Sequence, residues 1–444
     1  MGAGMTGLAG CTGGESTEET TQTTAGSGGG EWPDLSGESL HFLTNENEQR
    51  MQEFFNGVAQ DFQADTGAEV RMEFVALGSS GSQRVSQLIQ AGSPPDIYSE
   101  SISQATEFIG GETRIIRPLN EAMERVSEQL GPASENARMV FDGDDYMIPW
   151  TFSGDTLWYR EDIFDAEPTT WDIMLEQAEA NDGSETRAYF GPAGDNFCSM
   201  LILQAWAYSN DCRIMQRDDA GAVTFVMNES PYRERWIETI EFMQQLHEFS
   251  PIAADAGCSQ QITAIQTEQA ASTPYPARVK SAAIEQSPEV AENLTSTLMP
   301  AKRSHTSVGL VEGLISFEGA NDAAVNAFIE YLFQPSVIQG FYSTTPVMLL
   351  PPYEEYLENE FQSVIDGFDP LWTDRDVEMQ FEQNRQMLSL GFETSPPNVY
   401  AGSLLGTGAL QSLVHTTLVN DADATEAVTT AAEQLEAKLT ELTE

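Results

Sequence analysis

Apolar and polar positions in the N-terminal part of the folded region follow two periods in alternation. Glu38 to Leu43 is short and apolar enough for a strand. Over 47–65, Met51, Phe54, Phe55, Val58 and Phe62 recur at helical spacing, and Gly67 suits the stop. Val70, Met72 and Phe74 then alternate with Glu69, Arg71 and Glu73, the period of a strand. Leu77 to Ser82 reads as a loop, Val85, Leu88 and Ile89 mark a helix ending near Gly92, and Pro94-Pro95-Asp96-Ile97-Tyr98 opens a third strand. Strand, helix, strand, helix, strand with short loops predicts an α/β sheet with parallel pairing.

The pattern changes at Asp144–Phe164. A charged turn leads into Tyr146-Met147-Ile148-Pro149-Trp150, and a second extended run follows at Thr156-Leu157-Trp158-Tyr159. Pro149 cannot donate a ladder hydrogen bond, so the expectation is a strand broken there and resumed after Ser153-Gly154. Such a broken strand suits a crossing between two lobes. Further on, Arg187–Phe190 reads as a strand, Met200–Tyr208 as a helix, and Ser230-Pro231 as a helix start with Trp236, Ile240, Met243 and Leu246 on one face. Leu294–Met299 and Thr345–Met348 read as second and third crossings, Val308–Ile315 as strand, Ala324–Phe333 as helix, and the C-terminal part as helical. The expectation is two discontinuous α/β lobes: 37–149 plus 300–344, and 152–297 plus 347–444. Trp158, Trp171 and Trp236 sit on regular elements and are assigned to the core.

Three runs carry a resemblance. Asp-x-Tyr-x-Ile-Pro-Trp (144–150), Leu-Trp-Tyr-Arg-x-Asp-Ile-Phe (157–164) and Pro-Thr-Thr-Trp-Asp (168–172) resemble the first hinge segment of extracellular solute-binding protein family 1. These are the sugar-type, maltose-binding-protein-like binding proteins of ABC importers. Phe-x-x-x-Thr-Gly-x-x-Val (62–70) and Ala-Gly-x-Pro-Pro-Asp-Ile (91–97) resemble its first-lobe signatures, and the likeness runs from about residue 38 to the C-terminus. The stretch Ala270–Pro276 is similar to the one that carries a ligand-facing aromatic, here Tyr275, although Glu268-Gln269-Ala270-Ala271-Ser272 stands in place of the usual Gly-x-Ala-Ala-Met. The resemblance implies a periplasmic-binding-protein-like type II fold: two lobes, a hinge, and a ligand cleft between them. It also implies a carbohydrate ligand and a membrane permease as partner.

Charge changes the picture of the setting. The chain has 444 residues, 70 acidic against 20 basic, for a net charge of −50. With 40% hydrophobic residues and seven Trp, this is a globular composition rather than a disordered one. Acid spread over the whole chain reads as adaptation to high salt, which screens the self-repulsion, in a host such as a haloarchaeon. The same charge excludes nucleic-acid binding, because phosphate contacts need Lys and Arg.

At the N-terminus, Leu8-Ala9-Gly10-Cys11 resembles a lipobox, whose cysteine, Cys11, would be lipidated. A positive n-region and a longer apolar core are missing, so the expectation is a true start upstream of Met1. Residues 12–30 are rich in Gly, Ser, Thr and Glu and read as a flexible tether. The expected location is the outer face of the cell membrane.

Catalytic and metal motifs do not emerge. His41, His247, His305 and His415 are scattered, without metal-ligand spacing, and neither Gly-x-Ser-x-Gly nor a phosphate-cradling Gly-x-x-x-x-Gly-Lys occurs. No cofactor is called for. Apart from Cys11, Cys198, Cys212 and Cys258 remain; a Cys198–Cys212 disulfide and three buried free thiols both fit. Asn228-Glu229-Ser230 and Asn293-Leu294-Thr295 match the glycosylation acceptor pattern.

Binding residues are better marked. Ligands of open α/β sheets lie beyond the carboxyl ends of strands. That rule selects Asn45, Glu46, Ser79, Ser80, Glu100, Ser101, Asp195, Asn196, Glu312 and Gly313. A sugar wants aromatic platforms beside acids, amides and hydroxyls, which adds Trp150, Phe152, Phe197 and Tyr275. So many carboxylates disfavour an anionic ligand. The leading expectation is a monomeric, lipid-anchored sugar-binding component of an importer. The alternatives are another solute (polyol, glycerol phosphate, polyamine or metal ion), a secreted polysaccharide hydrolase, and an adhesive surface lipoprotein.

Overall fold

The computed structural model describes residues 32–443 apart from 76–78, 110–113, 218–221, 252–255, 346, 360, 392 and 394–397. The lipobox Cys11, the tether, Leu77, Gly78 and Pro346 lie outside the described residues.

The first half of lobe one is built from β1 (Ser39–Thr44), α1 (Gln49–Thr66), β2 (Glu69–Phe74), α2 (Ser79–Gln90) and β3 (Ile97–Ser101). β1 lies between β2 and β3 and is parallel to both. Gly67 closes α1 in the left-handed conformation at φ 82°, and its N–H returns to the carbonyl of Gln63. The apolar stripe of α1 buries Met51, Phe55, Val58 and Phe62 against the sheet.

β4 (Ile148–Gly154) and β5 (Thr156–Arg160) follow. β4 is not broken at Pro149. It runs unbroken to Gly154, pairing with β8 (Ser307–Ser316) and taking up the proline through a register shift at Glu312/Gly313. The change of sheet comes at Asp155: β5 belongs to a separate three-stranded antiparallel sheet, between β6 (Ser272–Tyr275) and β7 (Leu294–Thr297). The chain returns between β7 and β8, which also lies antiparallel to β3.

Two apolar cores fill each lobe. In lobe one, Phe42, Phe55, Phe62, Trp150, Phe328 and Phe341 pack together, beside a second cluster around Tyr98, Phe108 and Phe317. In lobe two, Trp171, Trp206, Trp236 and Phe242 form the centre of one cluster and Trp158, Ile265 and Leu294 of another. Trp158, Trp171 and Trp236 are thus core residues, at 0%, 2% and 0% exposure. Tyr353, Tyr356, Phe361 and Val364, expected in the second lobe, pack into the Phe42 core of the first.

Helix α3 (Asp374–Arg385) runs along the places where the chain changes lobe. Its Asn384 accepts from the Gly154 amide (2.9 Å) and its Gln380 donates to the Thr156 hydroxyl (2.6 Å). Its Gln383 accepts from the Met299 amide (2.8 Å) and donates to the His305 carbonyl (2.9 Å). One helix therefore ties both crossings. A Cβ on Gly154 would stand 2.8 Å from the Asn384 oxygen, so glycine permits that close approach.

Candidate functional site

Parallel pairing of β1 and β3 puts their carboxyl ends at one edge of the lobe-one sheet, and β8 brings Glu312 opposite Ser101 at the same edge. Asn45, Glu46, Glu100, Ser101 and Glu312 meet there, all at most 8% exposed. Asn45 accepts from the Ser99 hydroxyl (3.1 Å), which also bonds Thr44 (2.9 Å). Glu100 accepts from the Tyr98 hydroxyl (2.5 Å) and the Ser101 amide (2.7 Å). Ser101 caps the short helix that follows.

Burial governs the charge state of this edge. Desolvation, then repulsion by and hydrogen bonding to Glu312, holds Glu46 well above the ordinary carboxyl range. Glu312 is raised too, by desolvation, while its bonds to Glu46 and Asn45 work the other way. Burial holds both carboxyls toward the neutral form. Glu100 is pushed up to about 7 by desolvation, opposed by its two hydrogen bonds. Among the described residues, none of the three has an ion-pair partner. The cation acting on Glu46 is Arg278, itself ion-paired to Glu48.

The aromatics of β4 pack into cores. Trp150 is wholly buried, stacked on Phe341 at 4.8 Å and Phe55 at 5.6 Å. It is a core residue and not a sugar platform. Phe152 points to the opposite face, packs among Val311 and Met387, and lines a 1140 Å³ cavity. The register shift at Trp150 resets the alternation, so Thr151 stands opposite Glu312, and Asp155 follows directly after the strand's end. Asp155, absent from the sequence-derived set, is 3% exposed, and its carboxylate has no hydrogen-bond partner among the described residues. Its amide bonds the carbonyl of Val308 (3.0 Å), and desolvation pushes its carboxyl up to about 8. Alternation along the sequence does not mark it, because the register shift at Trp150 breaks the parity of β4.

Lobe two supplies the opposite wall. Tyr275 ends β6, paired with Thr156 beside Asp155, and its phenol is pushed up to about 12, mainly by desolvation. Asn196 caps α4 (Phe197–Ser209), accepting from the amides of Cys198 (3.0 Å) and Ser199 (3.3 Å) and donating to the Ala256 carbonyl (3.0 Å). Its amide is thus committed to structure. Asp195 is exposed, and Phe197 is half-buried against the lobe-two core. Gly313 has a backbone role: a Cβ there would lie 2.5 Å from Met147 Cγ and 2.6 Å from the Ile148 carbonyl oxygen. Ser79 and Ser80 open α2, and their side chains lie outside the described residues.

The disulfide joins Cys198 to Cys258, with Cα atoms 5.5 Å apart, and Cys212 is a buried free thiol. A Cys198–Cys212 bond is excluded because α4 separates the two residues, holding them roughly 20 Å apart at 1.5 Å per residue. Two ion pairs join the lobes across the cleft mouth: Arg50 with Glu285 (2.7 Å) and Arg278 with Glu48. Among the described residues, no three His, Cys, Asp or Glu side chains are arranged to hold a metal ion, and no helix is long and apolar enough to cross a membrane.

Residues 57–364 match the family model described as bacterial extracellular solute-binding protein. A search of curated proteins gave no match. Among solved structures, an ABC-transporter solute-binding protein of Thermotoga lettingae bound with α-D-tagatose is 16% identical, with a TM-score of 0.73, covering 90% of this chain and 100% of its own. The GacH receptor of Streptomyces glaucescens, solved free and with acarbose, is 15% identical, with a TM-score of 0.74 and coverage of 92% and 99%. Maltose-bound MalE3 of T. maritima is 14% identical, with a TM-score of 0.72 and coverage of 90% and 99%. These likenesses establish the two-lobed α/β fold.

Proposed function

We propose, on the premise that this chain belongs to the bacterial extracellular solute-binding proteins, that it captures a carbohydrate and delivers it to the permease of an ABC importer. Proteins of this family bind a solute outside the cytoplasm and are not enzymes. One observation carries the ligand reading. The carboxyl ends of β1 and β3, with Glu312, face Tyr275 across Asp155, so hydrogen-bonding groups and one aromatic ring border the same cleft. That pairing of ring and polar groups suits a hydroxyl-rich ring with flat apolar faces. The solved neighbours bound to tagatose, acarbose and maltose support it by analogy of fold.

The setting belongs to the same proposal. Cys11 takes the lipid, residues 12–30 form the tether, and the folded part works as a monomer in concentrated salt. Residues 37–154 with the 307–364 segment form one lobe, and the remainder closes on it by hinge rotation.

A thermal-shift screen of the 31–444 chain in molar KCl tests the reading, with sugars, polyols, polyamines and phosphates as probes. A ligand at about 100 times its Kd adds ~2.7 kcal/mol, a shift of a few degrees. Shifts confined to saccharides are the expected result. Shifts confined to phosphates or to linear amines would overturn the carbohydrate assignment. For the anchor, a Cys11→Ser variant expressed in the native host should move from the membrane fraction to the medium.

A further inference from the structure

Buried charges elsewhere in the molecule are compensated. Lys280 meets Asp376 at 2.7 Å, Arg160 meets Asp162 at 2.6 Å, and Arg117 meets Asp322 at 3.0 Å. Glu46, Glu100, Glu312 and Asp155 break this pattern: each is at least nine-tenths buried, and none has an ion-pair partner among the described residues. They gather where a ligand is held and not in a core. Burying a carboxylate without a cation is strongly unfavourable, so such groups persist where something else completes them. Asp155 sharpens the point, because its carboxylate lacks even a hydrogen-bond donor while standing between the two sheets.

The donor and acceptor count agrees. The lobe-one wall presents mainly carboxyl groups, with the Asn45 amide and the Ser101 hydroxyl beside them. Sugar hydroxyls both donate and accept and want a mixed wall; a protonated amine offers only donors and carries the missing charge. A divalent metal fits less well, since no three of these side chains are arranged to ligate one.

We infer that the solute of this protein carries a protonated amine, seated at the Glu46–Glu312 carboxyl pair with the Glu100 charge beside it. The inference rests on the cleft being the solute site, and it narrows the carbohydrate reading to amino-bearing saccharides. Because burial holds Glu46 and Glu312 toward the neutral form, an ammonium seated there is expected to displace protons into solution.

The test is isothermal titration calorimetry of the 31–444 chain in molar KCl. The probes are glucosamine trisaccharide, its fully N-acetylated form, maltotriose and spermidine. The amine and its N-acetyl form share a skeleton and differ in charge. The expected result is binding of the amine form on the order of tenfold tighter or more, with proton release measured in buffers of different ionisation enthalpy. Equal or tighter binding of the N-acetyl form or of maltotriose overturns the amine inference and leaves the carbohydrate reading intact. Binding of spermidine with no saccharide bound sustains the amine and overturns the carbohydrate. Binding of none of the four overturns the inference. Glu100→Gln and Glu312→Gln provide a second readout: each should melt at a higher temperature than the parent without ligand, and each should shrink the amine preference toward one. A variant that keeps the full preference would remove that side chain from the amine site.

Discussion

At the residue scale, the cleft carboxyls make stability depend on pH in an unusual direction. Glu100 and Asp155 have folded-state values raised to about 7 and about 8. The native protein therefore holds protons that the unfolded chain releases above about pH 4. The stability they contribute is fully present below the unfolded values and is lost as pH rises through 7 and 8. We expect the melting temperature of the ligand-free protein to fall between pH 5 and pH 8 (roughly the window set by these shifts), and Asp155→Asn to flatten the fall; a flat parent profile would contradict the assignment. Tyr275 and Trp150 separate binding from folding. Trp150→Ala empties a packed site and should cost about 3–5 kcal/mol in denaturant melts, whereas Tyr275→Ala, on a half-buried ring at the cleft, should weaken ligand binding with a much smaller loss. The sequence alone confuses these two aromatics, because both follow apolar strand runs. Only the fold shows that Trp150 is enclosed by Phe55 and Phe341 while Thr151, one residue on, stands opposite Glu312.

At the element scale, the strand and helix order of lobe one was legible because its periods are regular and its stops are glycines, such as Gly67. The course of the hinge was less so. Pro149 reads as a break, yet a bulge at the neighbouring Trp150 lets β4 continue to Gly154, and a bulge depends on the partner strand. Cysteine pairing was hidden for a similar reason: Cys258 lies 60 residues from Cys198 in sequence, and packing alone brings their helices together. Alkylation of the unfolded 31–444 chain should modify one thiol without reductant and three with it. Cys258→Ser should lower stability by about 4 kcal/mol by the loop-entropy rule, and because the bond sits beside the Asn196 cap it should also loosen that cleft wall. In α3, Asp376 takes Lys280 at 2.7 Å and the Ser296 amide at 3.2 Å, with both charges buried. Asp376→Ala leaves the ammonium uncompensated, and a loss of roughly 3–5 kcal/mol in a guanidinium melt is expected.

At the scale of the whole molecule, a net charge of −50 on 444 residues leads us to expect a fold that depends on salt. At molar ionic strength the Debye length is about 3 Å, and repulsion among exposed carboxylates is screened. The melting temperature should rise steeply from dilute buffer to about 2 M KCl, and a salt-independent value would overturn the salt-adapted reading. The same screening weakens the exposed Arg50–Glu285 pair at the cleft mouth, so closure must draw on the solute and the hinge. Helix α3 sets the form of that closure. Since Asn384 and Gln380 hold the first crossing while Gln383 holds both sides of the second, neither strand can bend alone without breaking bonds to a shared rigid rod. We expect these two crossings to turn together, about one axle, so that a single angle describes the journey from open to shut and a solute gripped at one wall draws the opposite wall with it.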